Sequence, residues 1–196
     1  MTHAPLIGLI GKKRSGKDSF AAVLIAEHGY KRVAFADPLR AAALRLDPYV
    51  DAALLDNGEI MPYRLSEVIG TLGWERAKDE IPEVRRILQA FGTDAIRSID
   101  EEFWVRAGVQ EISNNYRDPV VVTDVRFPNE AQAILQRGGV LVRIERPGFD
   151  GDGHATETAL DDYLPDIVVS NDGTLDDLKL SATAVAANVN TLRGLR

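Results

Sequence analysis

The chain contains no cysteine, and its only histidines, His3, His28 and His154, stand far apart. Without cysteine there is no disulfide framework, no thiolate zinc site and no cysteine nucleophile. Histidines so scattered do not outline a metal cluster and read as surface or loop residues. No run of residues is apolar enough to span a bilayer, and the N-terminus lacks the charged-then-apolar pattern of a secretory signal. Positive charge is in deficit, with Lys+Arg 23 against Asp+Glu 30 and a formal net charge of −7. Such a balance argues against duplex nucleic acid or an anionic membrane as the main partner. It leaves room for a small phosphate ligand, since local arginines decide that. The expectation is a soluble, cytoplasmic protein; the sequence leaves a homodimer open.

What is present is ordinary globular composition, 45% hydrophobic and 27% charged over 196 residues. A chain of this length buries roughly 70% of its unfolded surface, enough for a core without staples. Short apolar runs at Leu6–Ile10, Val33–Phe35, Val120–Val122, Val140–Ile144 and Ile167–Val169 read as strands. The Val120–Val122 run is β-branched throughout, as in a strand covered on both faces. Near the C-terminus Leu175, Leu178, Ala182, Val185, Val189 and Leu192 recur at helical steps, with Thr174 and Asp177 placed as a capping box. Strand and helix in alternation predict an α/β fold, a parallel sheet with right-handed crossovers and helices on both faces. Residues 37–115 contain no convincing strand; broken by Asp47-Pro48, Asn57-Gly58, Met61-Pro62 and Ile81-Pro82, they read as a helical insertion. The Pro147–Gly153 stretch reads as a flexible loop.

Directly after the first strand, Gly11-Lys12-Lys13-Arg14-Ser15-Gly16-Lys17 fits the G-x-x-x-x-G-K phosphate-loop pattern. Two glycines let the backbone curl so that successive N–H groups, across Lys13, Arg14, Ser15 and Gly16, face phosphate oxygens. The helix starting near Lys17 adds its partial positive charge, and Lys17 a full one for the β and γ phosphates. The hydroxyl residue that normally follows the lysine and holds magnesium is replaced by Asp18, with Ser19 next. Either a carboxylate acting through water or Ser19 can serve the ion.

The segment Gly11–Ser19, GKKRSGKDS, resembles the phosphate loop of bacteriophage deoxynucleoside monophosphate kinases, and also that of animal-type phosphomevalonate kinases. Three further segments resemble the phage kinases in the same order. They are Phe35-Ala36-Asp37-Pro38-Leu39-Arg40; Leu88-Gln89-Ala90-Phe91-Gly92-Thr93-Asp94 with Arg97 and Phe103-Trp104; and Thr123-Asp124-Val125-Arg126-Phe127-Pro128-Asn129-Glu130-Ala131. The resemblance runs from Gly11 to about Leu178. It implies a P-loop NTPase three-layer fold with a five-stranded parallel sheet, a helical acceptor-binding insertion over residues 37–115 and a lid over 146–160. It also implies ATP as donor, a deoxynucleoside monophosphate as acceptor, and Mg2+. Were the chain phage-encoded, it would work in the host cytoplasm.

Asp124 closes the third predicted strand at the sheet's carboxyl edge, where open α/β folds bind ligands. It reads as a magnesium ligand together with Asp18, or as the N-cap of a helix starting near Pro128. Arg126 reads as a clamp on the transferring or acceptor phosphate, or as a surface arginine paired with Glu130. Arg85, Gln89, Thr93 and Arg97 fall at four-residue spacing, which a continuous helix would align, although Gly92 is expected to interrupt it. In the resembling family that region holds the acceptor, with arginines on its phosphate and the glutamine and threonine on its base. Asp37 and Arg40 follow the second strand and are expected to orient the acceptor and contact its phosphate. Trp104 can stack on a base or lie in the core. Arg146 is the expected lid arginine, and Arg143 either contacts the nucleotide or sits at the strand edge over its base. Asn171-Asp172-Gly173 resembles the family's adenine-contacting turn. Lys17, Arg126 and Arg146 are the catalytic candidates. A phosphomevalonate kinase, a dephospho-CoA kinase and a non-catalytic nucleotide-binding module stay open as rivals.

Overall fold

Five consecutive buried residues, Leu6–Ile10, form a strand with neighbours on both sides, and the rest of the architecture grows outward from it. The computed structural model describes residues 4–115, 117–148 and 159–193. In chain order its elements are β1 (Leu6–Ile10), α1 (Lys17–His28), β2 (Lys31–Val33), α2 (Asp37–Leu46), β3 (Tyr49–Leu54), β4 (Ile60–Arg64), α3 (Leu65–Glu80) and α4 (Pro82–Gln89). A π-helical segment (Ala90–Arg97), α5 (Phe103–Asn114), β5 (Val120–Val122), α6 (Pro128–Leu135), β6 (Val140–Glu145), β7 (Ile167–Ser170) and α7 (Leu175–Arg193) complete it. The chain folds into two compact units, one of residues 36–104 and one from the segments on either side of it.

The larger unit holds a five-stranded sheet in the order β2-β5-β1-β6-β7, parallel throughout. Side chains alternate across a strand, so β1 feeds both faces. Ile7 and Leu9 join Phe20 and Leu24 of α1 and Leu178, Ala182, Val185 and Val189 of α7. Leu6 and Ile10 join Val105 and Ile112 of α5 and Ala131 and Ile134 of α6. Each buried Leu, Ile, Val or Phe among them contributes about 1.5–3 kcal/mol. The three-layer α/β fold expected from the strand–helix alternation is therefore present. Leu175 of the expected apolar stripe lies exposed, one turn before the buried run begins. Thr174 and Asp177 form the expected capping box of α7: the Asp177 amide donates to the Thr174 hydroxyl at 3.2 Å, and the Thr174 hydroxyl and amide donate to Asp177 Oδ2 at 2.7 and 2.8 Å. Those bonds hold the Asp177 carboxyl below its ordinary range. The cap's stabilisation is complete above the ordinary carboxylate range and is lost as pH falls through the depressed value.

Two expectations need correction. β2 covers Lys31–Val33, not Val33–Phe35. It is an edge strand whose first two residues are exposed and polar, and the Phe35 amide bonds a side chain, the Asp124 carboxylate, in place of a strand carbonyl. The smaller unit is not wholly helical, for β3 and β4 form an antiparallel hairpin. Asn57-Gly58 makes its turn, with Leu55 and Glu59 bonded across it at 2.8 Å. Pro62 sits within β4, which a two-stranded ribbon tolerates because each strand has an open edge. Val50 of the hairpin packs with Ala43, Leu65, Val68, Ala77 and Val84 in that unit's own core.

The face assignment of the helices predicts two contrasting outcomes in chemical denaturation. Leu24→Ala, at a fully buried site, lowers stability by about 2–5 kcal/mol. Leu180→Ala, on the exposed side of α7, changes it by less than about 0.5 kcal/mol.

Candidate active site

At the end of β1 the chain must turn sharply to enter α1, and the turn is built around positions that have no room for a side chain. A Cβ on Gly11 would strike the Ile144 carbonyl of the neighbouring strand, and one on Gly16 the Asn171 side-chain amide. Gly16 also takes φ 107° and occupies the N-cap of α1, which no side chain caps. The N–H groups of that helix end therefore form a ready anion site. Lys17 folds back over the loop, its ammonium donating to the Gly11 and Lys12 carbonyls at 2.6 Å each. Ser15 is buried, and its hydroxyl has no hydrogen-bond partner among the described residues. Lys13 and Arg14 are exposed, Arg14 in the left-handed region at φ 63°. Asp18 and Ser19 stand exposed on the first turn of α1. Four cations within seven residues, Lys12, Lys13, Arg14 and Lys17, thus gather on an otherwise acidic chain.

Asn171 and Asp161 brace this loop. Asn171, just past β7, donates its amide to the Ser15 carbonyl at 2.8 Å, while its own backbone N–H bonds Glu145 at 2.7 Å. Its side chain therefore supports the phosphate loop, a task the sequence did not reveal; Gly173 lies beyond it against Asp177. Lys12 pairs with Asp161. Arg143 of β6 donates to the carbonyls of Leu160, Asp161 and Tyr163, at 2.6, 3.3 and 2.6 Å. Its guanidinium anchors the 160–163 segment, a structural task in addition to the nucleotide contact expected of it. Arg146 follows β6 and is exposed. Most of the expected lid, residues 149–158, lies outside the described residues.

β5 delivers the second cluster. Asp124 accepts the Phe35 amide at 2.7 Å through Oδ1 and so locks the ends of β2 and β5 together. It is not the cap of α6. Phe127 holds that position, and Glu130 caps it from inside the helix, accepting the amides of Phe127 at 3.2 Å and Arg126 at 2.8 Å. The buried carboxylate holds the backbone that presents Arg126, whose side chain is exposed. A glutamate three residues into a helix is a capping signal, and it was the sign available in the sequence for this role.

The residues expected to meet the acceptor lie in the smaller unit. Asp37 opens α2, and Arg40 lies 3.9 Å from it and 3.2 Å from Glu75. Arg85 bonds Asp79 at 3.1 Å and the Lys78 carbonyl at 3.4 Å. Gly92 does not interrupt the helix; the chain continues from α4 as a π-helix carrying Thr93 and Arg97. Bonds from i to i+5 widen each turn. The four-residue stripe therefore holds for Arg85 and Gln89 in α4 and drifts at Thr93 and Arg97. Gly92 is buried against Leu39, and its carbonyl accepts the Trp104 indole N–H at 2.9 Å. Trp104 is itself buried, edge-on to Phe91 and Phe103. It belongs to the core, the second of the two readings that its position in the sequence allowed.

Glu130→Ala is expected to cost about 1–3 kcal/mol in denaturant unfolding, because it strands two amides. Glu130→Gln, which keeps an acceptor oxygen, costs less.

The family model for deoxynucleotide monophosphate kinases matches residues 51–181, beginning well beyond the phosphate loop, so loop and family match are separate observations. A protein of Acanthamoeba polyphaga mimivirus, provisionally named a deoxynucleotide monophosphate kinase, is 31% identical over 191 residues, 88% of this chain and 91% of its own. The deoxynucleotide monophosphate kinase of Enterobacteria phage T4 is 34% identical over 100 residues, 48% of this chain and 42% of the phage protein. Among solved structures, TT1252 from Thermus thermophilus shares the fold at a TM-score of 0.51 and 19% identity, covering 95% of this chain and 98% of that one. With a family match over more than half its length and a viral relative aligned nearly end to end, the chain belongs to the deoxynucleotide monophosphate kinase family and is a nucleotide phosphotransferase.

Proposed function

We propose that this kinase moves the γ-phosphate of ATP to a deoxynucleoside monophosphate, with the donor's triphosphate seated in the Gly11–Lys17 loop. The observation that carries this reading is the Lys17 ammonium resting on the Gly11 and Lys12 carbonyls above an uncapped helix N-terminus. Those groups supply directed N–H donors and one mobile charge, which is what a triphosphate tail requires. The Ser15 hydroxyl, without a partner among the described residues, is a further donor inside the same curl.

Phosphoryl transfer needs little covalent help, so the protein's work is to align two anions and to neutralise charge as it shifts. Lys17 is assigned to the β and γ phosphates. Arg126, exposed on a backbone fixed by Glu130, and Arg146, just past β6, are assigned to the charge that develops on the transferred group. The acceptor attacks through a phosphate oxygen that is already anionic at neutral pH, since a phosphate monoester loses its second proton near pH ~6. No general base is called for, in keeping with a chain whose motifs include no histidine. Asp37, Arg40, Arg85, Gln89, Thr93 and Arg97 of the smaller unit are assigned to the acceptor.

Magnesium fits the donor set. It takes hard oxygen ligands and commonly binds through one or two carboxylates plus phosphate oxygens and water. Asp124 just past β5 and Asp18 on the first turn of α1 are the two carboxylates assigned to it. When bound, the ion would draw charge from the terminal phosphates.

The test is a coupled ADP-release assay against each deoxynucleoside monophosphate, run on wild type and Lys17→Ala. Turnover is expected with one or more acceptors, and the variant should lose about 100-fold or more in kcat/KM. ADP release independent of any monophosphate, or full activity in the variant, would contradict the reading.

A further inference from the structure

A kink in the smaller unit gathers a small charged group. Gly73 takes φ 70° and ψ 168° inside α3, a conformation that costs glycine little, so α3 is two helical pieces joined at that residue. The second piece carries Trp74, Glu75 and Lys78 against Arg40 of α2. The Arg40 guanidinium lies 5.6 Å from the Trp74 ring centre. Its NH2 is 3.2 Å from Glu75 Oε1, and Lys78 Nζ is 2.7 Å from Glu75 Oε2. One carboxylate therefore bridges two cations from two helices.

Exposure within this trio is unequal. The Arg40 and Lys78 side chains each retain 21% of their accessible surface, but Glu75 retains 75%. The cations are held in place by packing, Arg40 on an aromatic face. Lys78 sits where Arg85 bonds its carbonyl and the next residue, Asp79. The acid reaches in from solvent. Such burial as Glu75 has works to raise its carboxyl, yet the hydrogen bond and charge of Lys78, aided by Arg40, hold it below its ordinary range. It is thus an anion at neutral pH, and an ion pair with so exposed a partner is held weakly. A phosphate monoester brings more charge and a third oxygen to the same two donors.

We infer that Arg40 and Lys78 together bind the phosphate of the acceptor nucleotide, and that Glu75 occupies their position until the acceptor displaces it. This rests on the reading that the smaller unit takes the acceptor. It adds Lys78 as a binding residue and makes Glu75 a built-in competitor, so that weakly held anions such as inorganic phosphate are discouraged.

The experiment is steady-state kinetics of the full chain at saturating ATP with the deoxynucleoside monophosphate varied, for wild type, Glu75→Gln, Lys78→Gln and the double variant. Glu75→Gln lowers the acceptor KM about two- to fivefold and lets inorganic phosphate inhibit at correspondingly lower concentration. Lys78→Gln raises the acceptor KM about tenfold or more, while the KM for ATP moves less than about twofold. In the double variant the gain from Glu75→Gln largely disappears, since there is less cation left to release. A purely structural role would shift melting temperature and both KM values together. An unchanged acceptor KM in Lys78→Gln, or a raised one in Glu75→Gln, overturns the inference. Should Lys78→Gln fail to fold, the sign of the Glu75→Gln effect decides alone. Wild type active on a monophosphate with Lys78→Gln behaving identically defeats this inference only; wild type inactive on every monophosphate defeats the underlying reading as well.

Discussion

The curl between Ile10 and Lys17 is the constraint on which the rest of this molecule depends. A loop that points several N–H groups inward must bring its backbone close to its neighbours, and here it presses on the Ile144 carbonyl and the Asn171 side chain. Neither contact tolerates a Cβ, so glycine is required at 11 and 16. The loop in turn fixes what surrounds it. β6 must lie beside β1 to supply Ile144, and β7 must lie beside β6 to bring Asn171 to the Ser15 carbonyl. The order of the sheet and the shape of the phosphate loop are thus one requirement seen at two scales.

Three carboxylates in this enzyme serve to arrange backbone. Asp124 and Glu130 accept main-chain amides near the loop that presents Arg126, and Asp177 accepts the amide that starts α7. Each satisfies donors that would otherwise be costly to leave unpaired. An acidic protein can therefore bind a polyanion: many acids face the backbone or solvent, while lysines and arginines collect on the phosphate loop. The smaller unit repeats the arrangement, with Arg40 and Lys78 packed and Glu75 in solvent.

Much of the larger unit was legible in the sequence because its signals are local. Val120–Val122 reads as a doubly covered strand whatever follows it, and the glycine spacing of the phosphate loop is a requirement of the loop itself. The Thr174 and Asp177 cap is likewise written within four residues. What was missed depends on distant partners or on weak patterns. Asn171 bonds a residue 156 positions away. The hairpin of β3 and β4 is short, contains Pro62 and exposes Leu54 and Ile60, so its turn signal at Asn57-Gly58 passed for a helix break. The π-helix requires Gly92 to be buried against Leu39, and no spacing rule on the segment alone discloses that. Trp104 was open to two readings, a base platform or the core, and its indole satisfies the Gly92 carbonyl inside the core.

The central claim is direct transfer of a phosphoryl group between two nucleotides. Phosphorus NMR of the protein mixed with ATP, magnesium and a deoxynucleoside monophosphate follows every phosphate at once. The account predicts that ADP and the deoxynucleoside diphosphate appear in equal amounts as ATP and the monophosphate decline, with no free phosphate formed. Accumulation of inorganic phosphate without the new diphosphate would show that water, not a nucleotide, receives the group, and would contradict it.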